Sequence, residues 1–144
     1  MMMNTSTDQR RKYLRESVLS ATPARLLTML YDRLLLDLAR AEQAQAAENW
    51  QAASAQLLHA QEIIAELSSS LKKDAWDGAE NLFGLYTYVS NALMAANMHR
   101  DIQATRECIA LLEPLREAWH EASASLPAQN SWDPARSAGS LGVA

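Results

Sequence analysis

Apolar positions recur along this chain with the spacing of helices. Leu26, Leu27, Leu30, Tyr31, Leu34, Leu35, Leu38 and Ala41 line one face of a first helix that fades near Ala47. Thr22 suits its N-cap, and Pro23 suits the first helical position, where a missing N–H costs nothing. A second stripe runs Trp50, Ala53, Leu57, Ala60, Ile64, Leu67, Leu71, with spacings that alternate between three and four. Asn49 is placed to cap it, and Lys72 and Lys73 follow where a helix C-terminus favours cations. A third stripe holds Ala79, Leu82, Tyr86, Val89, Leu93 and Ala96, and Asp77 with Glu80 forms a D-x-x-E capping box before it. The fourth carries Ile102, Thr105, Ile109, Leu112, Leu115, Trp119, Ala122 and Leu126, with Asp101 as its cap. Pro114 lies inside that stripe, which predicts a kink near Ala110 to Pro114 or two shorter helices.

The links between these helices are a few residues long, so neighbours must run antiparallel. The pattern predicts an all-α fold, an antiparallel up-down-up-down four-helix bundle over residues 22–126. Residues 1–21 are more polar, with an apolar insert at Tyr13, Leu14, Val18 and Leu19, and read as a mobile N-terminal arm. Residues 127–144 turn to Pro, Ser, Gly, Ala and Asn and read as a disordered tail.

Composition narrows what such a bundle does. The chain has 144 residues, 49% of them hydrophobic and 21% charged, enough for one domain with a buried core. Residues 1–25 hold five basic residues against Asp8 and Glu16, while the whole chain has a net charge of −4, a poor match for a polyanion. One cysteine, Cys108, excludes an internal disulfide. No secretory leader and no membrane-spanning run is apparent, so a cytoplasmic location without membrane insertion is expected.

Chemistry leaves few traces. A di-iron bundle needs two inward Glu-x-x-His pairs and two further carboxylates. Glu117 with His120 is the one such pair, and the stripes of the first three helices hold no Asp or Glu. A phosphotransfer histidine favours basic and small neighbours, whereas His59 is followed by Ala60, Gln61 and Glu62. Cys108 sits on or beside the fourth stripe with no basic neighbour, as an inert packing thiol does. No glycine-rich phosphate loop exists. These readings exclude an enzyme and call for no metal and no cofactor.

The third helix is apolar beyond its seam. Phe83 and Met94 flank the seam on one side, Leu85 and Ala92 on the other, and Tyr88 falls further round. No Asp, Glu, Lys or Arg occurs from Asn81 to His99. Ile63 lies beside the second seam and Leu58 well off it, while Met29 and Leu36 lie nearly opposite the first. Wide core-facing stripes account for the flanks, but not for Tyr88 and Leu58. A contiguous uncharged strip marks an interaction site.

Several strings then resemble one family, the flagellar secretion chaperones called FliS. Tyr13, Ser17-Val18, Ala21-Thr22-Pro23 and Leu26-Leu27-Thr28-Met29-Leu30-Tyr31-Asp32 are similar to its opening. Ala60-Gln61-Glu62-Ile63-Ile64-Ala65-Glu66-Leu67 resembles its second helix. Asn81-Leu82-Phe83-Gly84-Leu85-Tyr86-Thr87-Tyr88 with Ala95-Ala96-Asn97 resembles its third, and Leu115-Arg116-Glu117-Ala118-Trp119 the end of its fourth. The family often has Arg mid-way along the third helix, where this chain has Asn91 and Ala92, and Pro114 is unusual for it. The resemblance implies a chaperone that binds the apolar C-terminal segment of flagellin in the cytoplasm. It would block premature polymerisation, keep the segment competent for type III secretion and deliver it to the export gate. It also implies an N-terminal lid over part of the groove, here Tyr13, Leu14 and Val18. With the helical wheel, it makes Leu58, Ile63, Phe83, Leu85, Tyr88, Ala92 and Met94 the expected cargo contacts. The rival reading is a self-associating structural bundle, a homodimer without a secretion cargo.

Overall fold

The computed structural model describes the backbone of residues 5–19, 22–72, 74 and 76–125; in the first stretch it describes side chains at residues 6–12 and 15. Five helices make up the described chain: α1 (Thr5–Leu19), α2 (Pro23–Ala46), α3 (Trp50–Ser70), α4 (Ala79–Met98) and α5 (Ile102–Ala124). No strand occurs among the described residues. Helices α2 to α5 are the four that the apolar stripes predict.

The caps explain most of the boundaries. Thr22 Oγ1 accepts from Arg25 N–H at 3.2 Å, Asn49 Oδ1 from Ala52 N–H at 3.3 Å, and Asp101 Oδ1 from Gln103 and Ala104 N–H at 3.0 and 3.3 Å. At the far ends of α2 and α4, Glu48 and Arg100 take left-handed backbone angles, φ 57° and 53°. The following N–H groups reach back, Asn49 to Ala44 O at 2.8 Å and Asp101 to Ala96 O at 3.0 Å. Each turn is thus a Schellman stop that swings the chain straight into the next cap.

Three expectations need correction. The D-x-x-E box does not form: Gly78 is the N-cap of α4 and makes no side-chain cap bond. The Trp76 ring lies so close over Gly78 that a Cβ there would sit 1.9 Å from it, so the turn needs glycine to admit the ring. Of the two outcomes expected at Pro114, a kink or two shorter helices, the second does not occur, since α5 runs unbroken through it. Both Pro114 and Ala110 face solvent, so water can take the carbonyl that the proline leaves without a donor. Residues 5–19 of the segment read as an arm are helical. Gln, Arg, Lys and Glu are good helix formers, and Asp8 in the first turn suits the helix dipole, so α1 forms without a sharp apolar stripe. The tail at residues 127–144 lies outside the described residues, as does Leu126.

The chain divides into two compact units, Met29–Ala118 and a unit made of Met1–Thr28 with Trp119–Ala144. The larger unit holds the core. Tyr31, Leu34 and Leu38 of α2, Leu57 and Ile64 of α3, Tyr86, Val89 and Leu93 of α4, and Cys108 and Leu112 of α5 are all but inaccessible to solvent. The stripe positions of α3 and α4 are buried almost without exception. Across α2 and α5, Arg116 Nε bonds Asp32 Oδ1 at 2.9 Å and Arg106 Nε bonds Glu42 Oε2 at 2.8 Å. Moving up one helix while moving down the other, these two pairs run α2 and α5 antiparallel. The Tyr31 and Tyr86 hydroxyls meet at 2.6 Å inside the core, joining α2 to α4.

Candidate binding face

Side chains of α4 decide what the outside of the larger unit looks like. With Tyr86 and Leu93 pointing in, the 3.6-residue repeat puts Phe83 on one flank and Tyr88 on the other. On the first flank, α3 and α4 enclose a groove of about 410 Å³. Its apolar floor is Ile64, Phe83 and Tyr86; Ser68, Thr87 and Ser90 rim it. No charged residue lines it. On the other flank the Tyr88 hydroxyl donates to the Glu107 carboxylate of α5. That hydrogen bond first, and the carboxylate's charge next, push the Tyr88 phenol above its ordinary range.

The expected contact residues separate by exposure. Leu58, Tyr88 and Met94 are open to solvent at 51%, 49% and 47%. Phe83, Leu85 and Ala92 are half-buried. Ile63 is 6% exposed and belongs to the core, because α3 turns two adjacent positions, Ile63 and Ile64, inward rather than one. Of the set, the groove brings in Phe83 alone. The lid residues Tyr13, Leu14 and Val18 fall on α1, and their side chains lie outside the described ones.

One buried polar cluster contradicts the view that the inward stripes lack carboxylates. Asp37 of α2 is fully buried. Arg33 Nε donates to its Oδ1 at 3.0 Å, and His59 Nδ1 of α3 meets its Oδ2. Periodicity missed it because Asp37 sits one position before Leu38 and carries a charge. The available signal was two potential partners, Arg33 four residues earlier and a histidine on the facing helix. His59 is thus occupied in joining α2 to α3. Cys108 is buried, and desolvation first, then the Glu107 charge, push its thiol up to about 11, so the nucleophilic thiolate is scarce at neutral pH. No group of three or more His, Cys, Asp or Glu side chains among the described residues is placed to hold a metal ion. His120 and Glu117 are exposed near the end of α5. No helix among the described residues is long and apolar enough to cross a membrane.

Among the described residues the arrangement offers apolar surface and hydroxyls, with no assembled set of reacting groups. Residues 5–126 match the family described as Flagellar protein FliS. This chain belongs to the FliS family. A flagellar secretion chaperone FliS of Escherichia coli K12 is 36% identical over 107 residues, covering 73% of this chain and 79% of that one. That of Salmonella typhimurium LT2 is 33% identical over 124 residues, 80% of this chain and 87% of its own. The solved structure of a bacterial flagellar chaperone superposes with a TM-score of 0.66 at 18% identity, covering 83% of this chain and 98% of that one. The fold is therefore that of a flagellar chaperone. FliS proteins are chaperones and not enzymes, and a role in flagellar export follows for this chain.

Proposed function

We propose that this FliS protein binds the apolar C-terminal segment of flagellin in the cytoplasm, prevents its premature polymerisation, and holds it ready for the flagellar export gate. In this reading α2 to α5 form an antiparallel four-helix bundle whose outer surface is the receptor. The observation that carries the reading is the apolar, charge-free outside of α4. Tyr88 and Met94 stand exposed on a helix with no Asp, Glu, Lys or Arg from Asn81 to Met98, beside a groove free of charge. Folding alone gains nothing from exposing the Met94 side chain or the Tyr88 ring, whose hydroxyl alone is used within the fold, while a helical client gains ~25 cal/mol for each Å² of apolar area it covers. Leu58, Phe83, Leu85, Tyr88, Ala92 and Met94 supply the contacts; Ile63 supports them from the core. Recognition is of the helix-in-groove kind, extended along a track.

The test is titration of a flagellin C-terminal peptide into wild type and Tyr88→Asp, with circular dichroism as the control. Binding should weaken at least about tenfold, the ~1.4 kcal/mol of an energetically important interface residue, with helicity unchanged. Any fall in melting belongs to the lost Tyr88–Glu107 hydrogen bond, which Tyr88→Phe removes without adding a charge. Undiminished affinity refutes the reading. Sedimentation of the free protein distinguishes a monomeric receptor from a homodimer that uses the same strip on itself. The lid belongs to the same proposal: deletion of residues 1–20 should raise peptide affinity if Tyr13, Leu14 and Val18 compete for the groove.

A further inference from the structure

We infer that the cleft between the start of α3 and the end of α4 receives the free carboxylate end of a polypeptide. The cleft is about 270 Å³, and its polar wall comprises Gln45, Trp50, Gln51, Asn97 and Arg100 over an apolar floor that includes Leu57. That is below the roughly 300–1,000 Å³ of small-molecule pockets and suits the last residue of a chain. Three observations point to its occupant.

The first is Arg100. Its guanidinium rests 5.0 Å from the centroid of the Trp50 ring, and no carboxylate among the described residues pairs with it. The ring holds a cation at the cleft without neutralising it. The second is the first turn of α3. Asn49 takes the Ala52 N–H with its side chain and the Ala53 N–H with its carbonyl, which leaves the N–H groups of Trp50 and Gln51 for an outside acceptor. The third is Gln45, only 3% exposed. Its Nε2 reaches Ala96 O at 3.5 Å, and its Oε1 has no partner. A buried amide oxygen without a donor is costly, so the cleft wants an N–H as well as an anion.

An inorganic anion answers the donors and leaves Gln45 unanswered. An internal stretch of peptide supplies the N–H but no charge. The last residue of a chain carries both, a carboxylate and an amide N–H on the same Cα. Asp101 does not compete for Arg100, since its carboxylate caps α5; Glu48, exposed in the α2–α3 turn, is the acidic neighbour that opposes an anion. Asn97 is seven residues beyond Ser90 of the groove, two turns or ~10 Å along α4. If the flagellin reading above holds, on which this identity rests, the end captured is that of the client itself.

Two probe pairs test the inference: N-acetyl-trialanine as free acid and as amide, and a flagellin C-terminal peptide as free acid and as amide. Nitrogen-edited NMR should show the trialanine acid shifting the Trp50 and Gln51 amides, and its amide form leaving them still. By calorimetry the long free acid should bind about tenfold tighter than its amide. Arg100→Gly, which suits the left-handed backbone there, should abolish that difference, and Glu48→Gln should widen it. Equal binding of both long forms, or no shift with the trialanine acid, overturns the carboxylate site and leaves the groove reading standing. Failure of both long forms to bind, with the trialanine acid still shifting α3, sinks the groove reading and keeps the cleft.

Discussion

Buried hydroxyl and thiol groups set the chemistry of individual positions here. Cys108 and Tyr86 both have pKa values raised by burial, with the Glu107 charge adding to the first and the Tyr31 hydroxyl to the second. A raised value means that the neutral form is the one the fold prefers. The stabilisation is complete below the ordinary values of 9.0 and 10.0 and is lost as pH rises through the folded ones. The melting temperature should therefore fall from about pH 9 upward, and Cys108→Ala should flatten the part between 9 and about 11. Thermal melts across that range check this, and a profile that does not change in the variant refutes it. Gly78 offers a second test at the same scale. Gly78→Ala pushes a methyl into the Trp76 ring, whereas in a Trp76→Ala background the ring atoms nearest to it are gone. The double-mutant cycle should show a coupling of ~0.5–3 kcal/mol, the range for residues in contact.

Among the elements, α3 and α4 were legible because the sequence alternates three- and four-residue spacings that only one helical face satisfies, and the caps at Thr22, Asn49 and Asp101 are the residues that do the capping. What periodicity does not carry is the order of competing local solutions. Asp77 was a plausible box opener, yet the ring of Trp76 over Gly78 sets the start of α4. Apolar patterning is equally blind to a buried carboxylate such as Asp37, whose burial depends on a partner on another helix. Of the expected contacts, Tyr88 and Leu58 were readable as outliers on the wheel, while Ile63 was not separable from Ile64 by angle alone. Two predictions belong to this scale. Pro114→Ala restores a donor to the last helix and should stabilise it by ~1 kcal/mol or more, seen as a rise of several degrees in melting temperature. His59→Ala leaves the Asp37 carboxylate buried with Arg33 as its single named partner and should cost ~1–3 kcal/mol. Asp37→Leu should cost less, because Arg33 and His59 are each about half exposed and are rehydrated when the carboxylate goes. Denaturant titrations of the two variants decide the order.

At the scale of the larger unit, α4 carries no charge of its own beyond Glu80, while its neighbours do. The ion pairs Arg116–Asp32 and Arg106–Glu42 tie α5 to α2, while α4 beyond Glu80 has none of its own to give. In the proposed complex a client lying along α4 meets apolar carbon, hydroxyls and amides, with the Glu107 carboxylate at the Tyr88 edge already bonded to the phenol. Its binding must then carry the thermodynamic marks of apolar burial and not those of ion pairing. Calorimetry of the flagellin peptide at several temperatures should give a negative heat-capacity change. Between about 0.01 and about 1 M salt the Debye length falls from about 30 Å to about 3 Å, which weakens exposed charge pairs. Binding along α4 should hold or tighten slightly over that range, because salt has no ion pair there to screen. The contribution of the Arg100 cleft should fade over the same range, so the advantage of a free-acid peptide over its amide should shrink as salt rises while the amide's affinity stays level. An amide form that loses affinity steeply with salt would mean that charged surface elsewhere, and not the face of α4, holds the client.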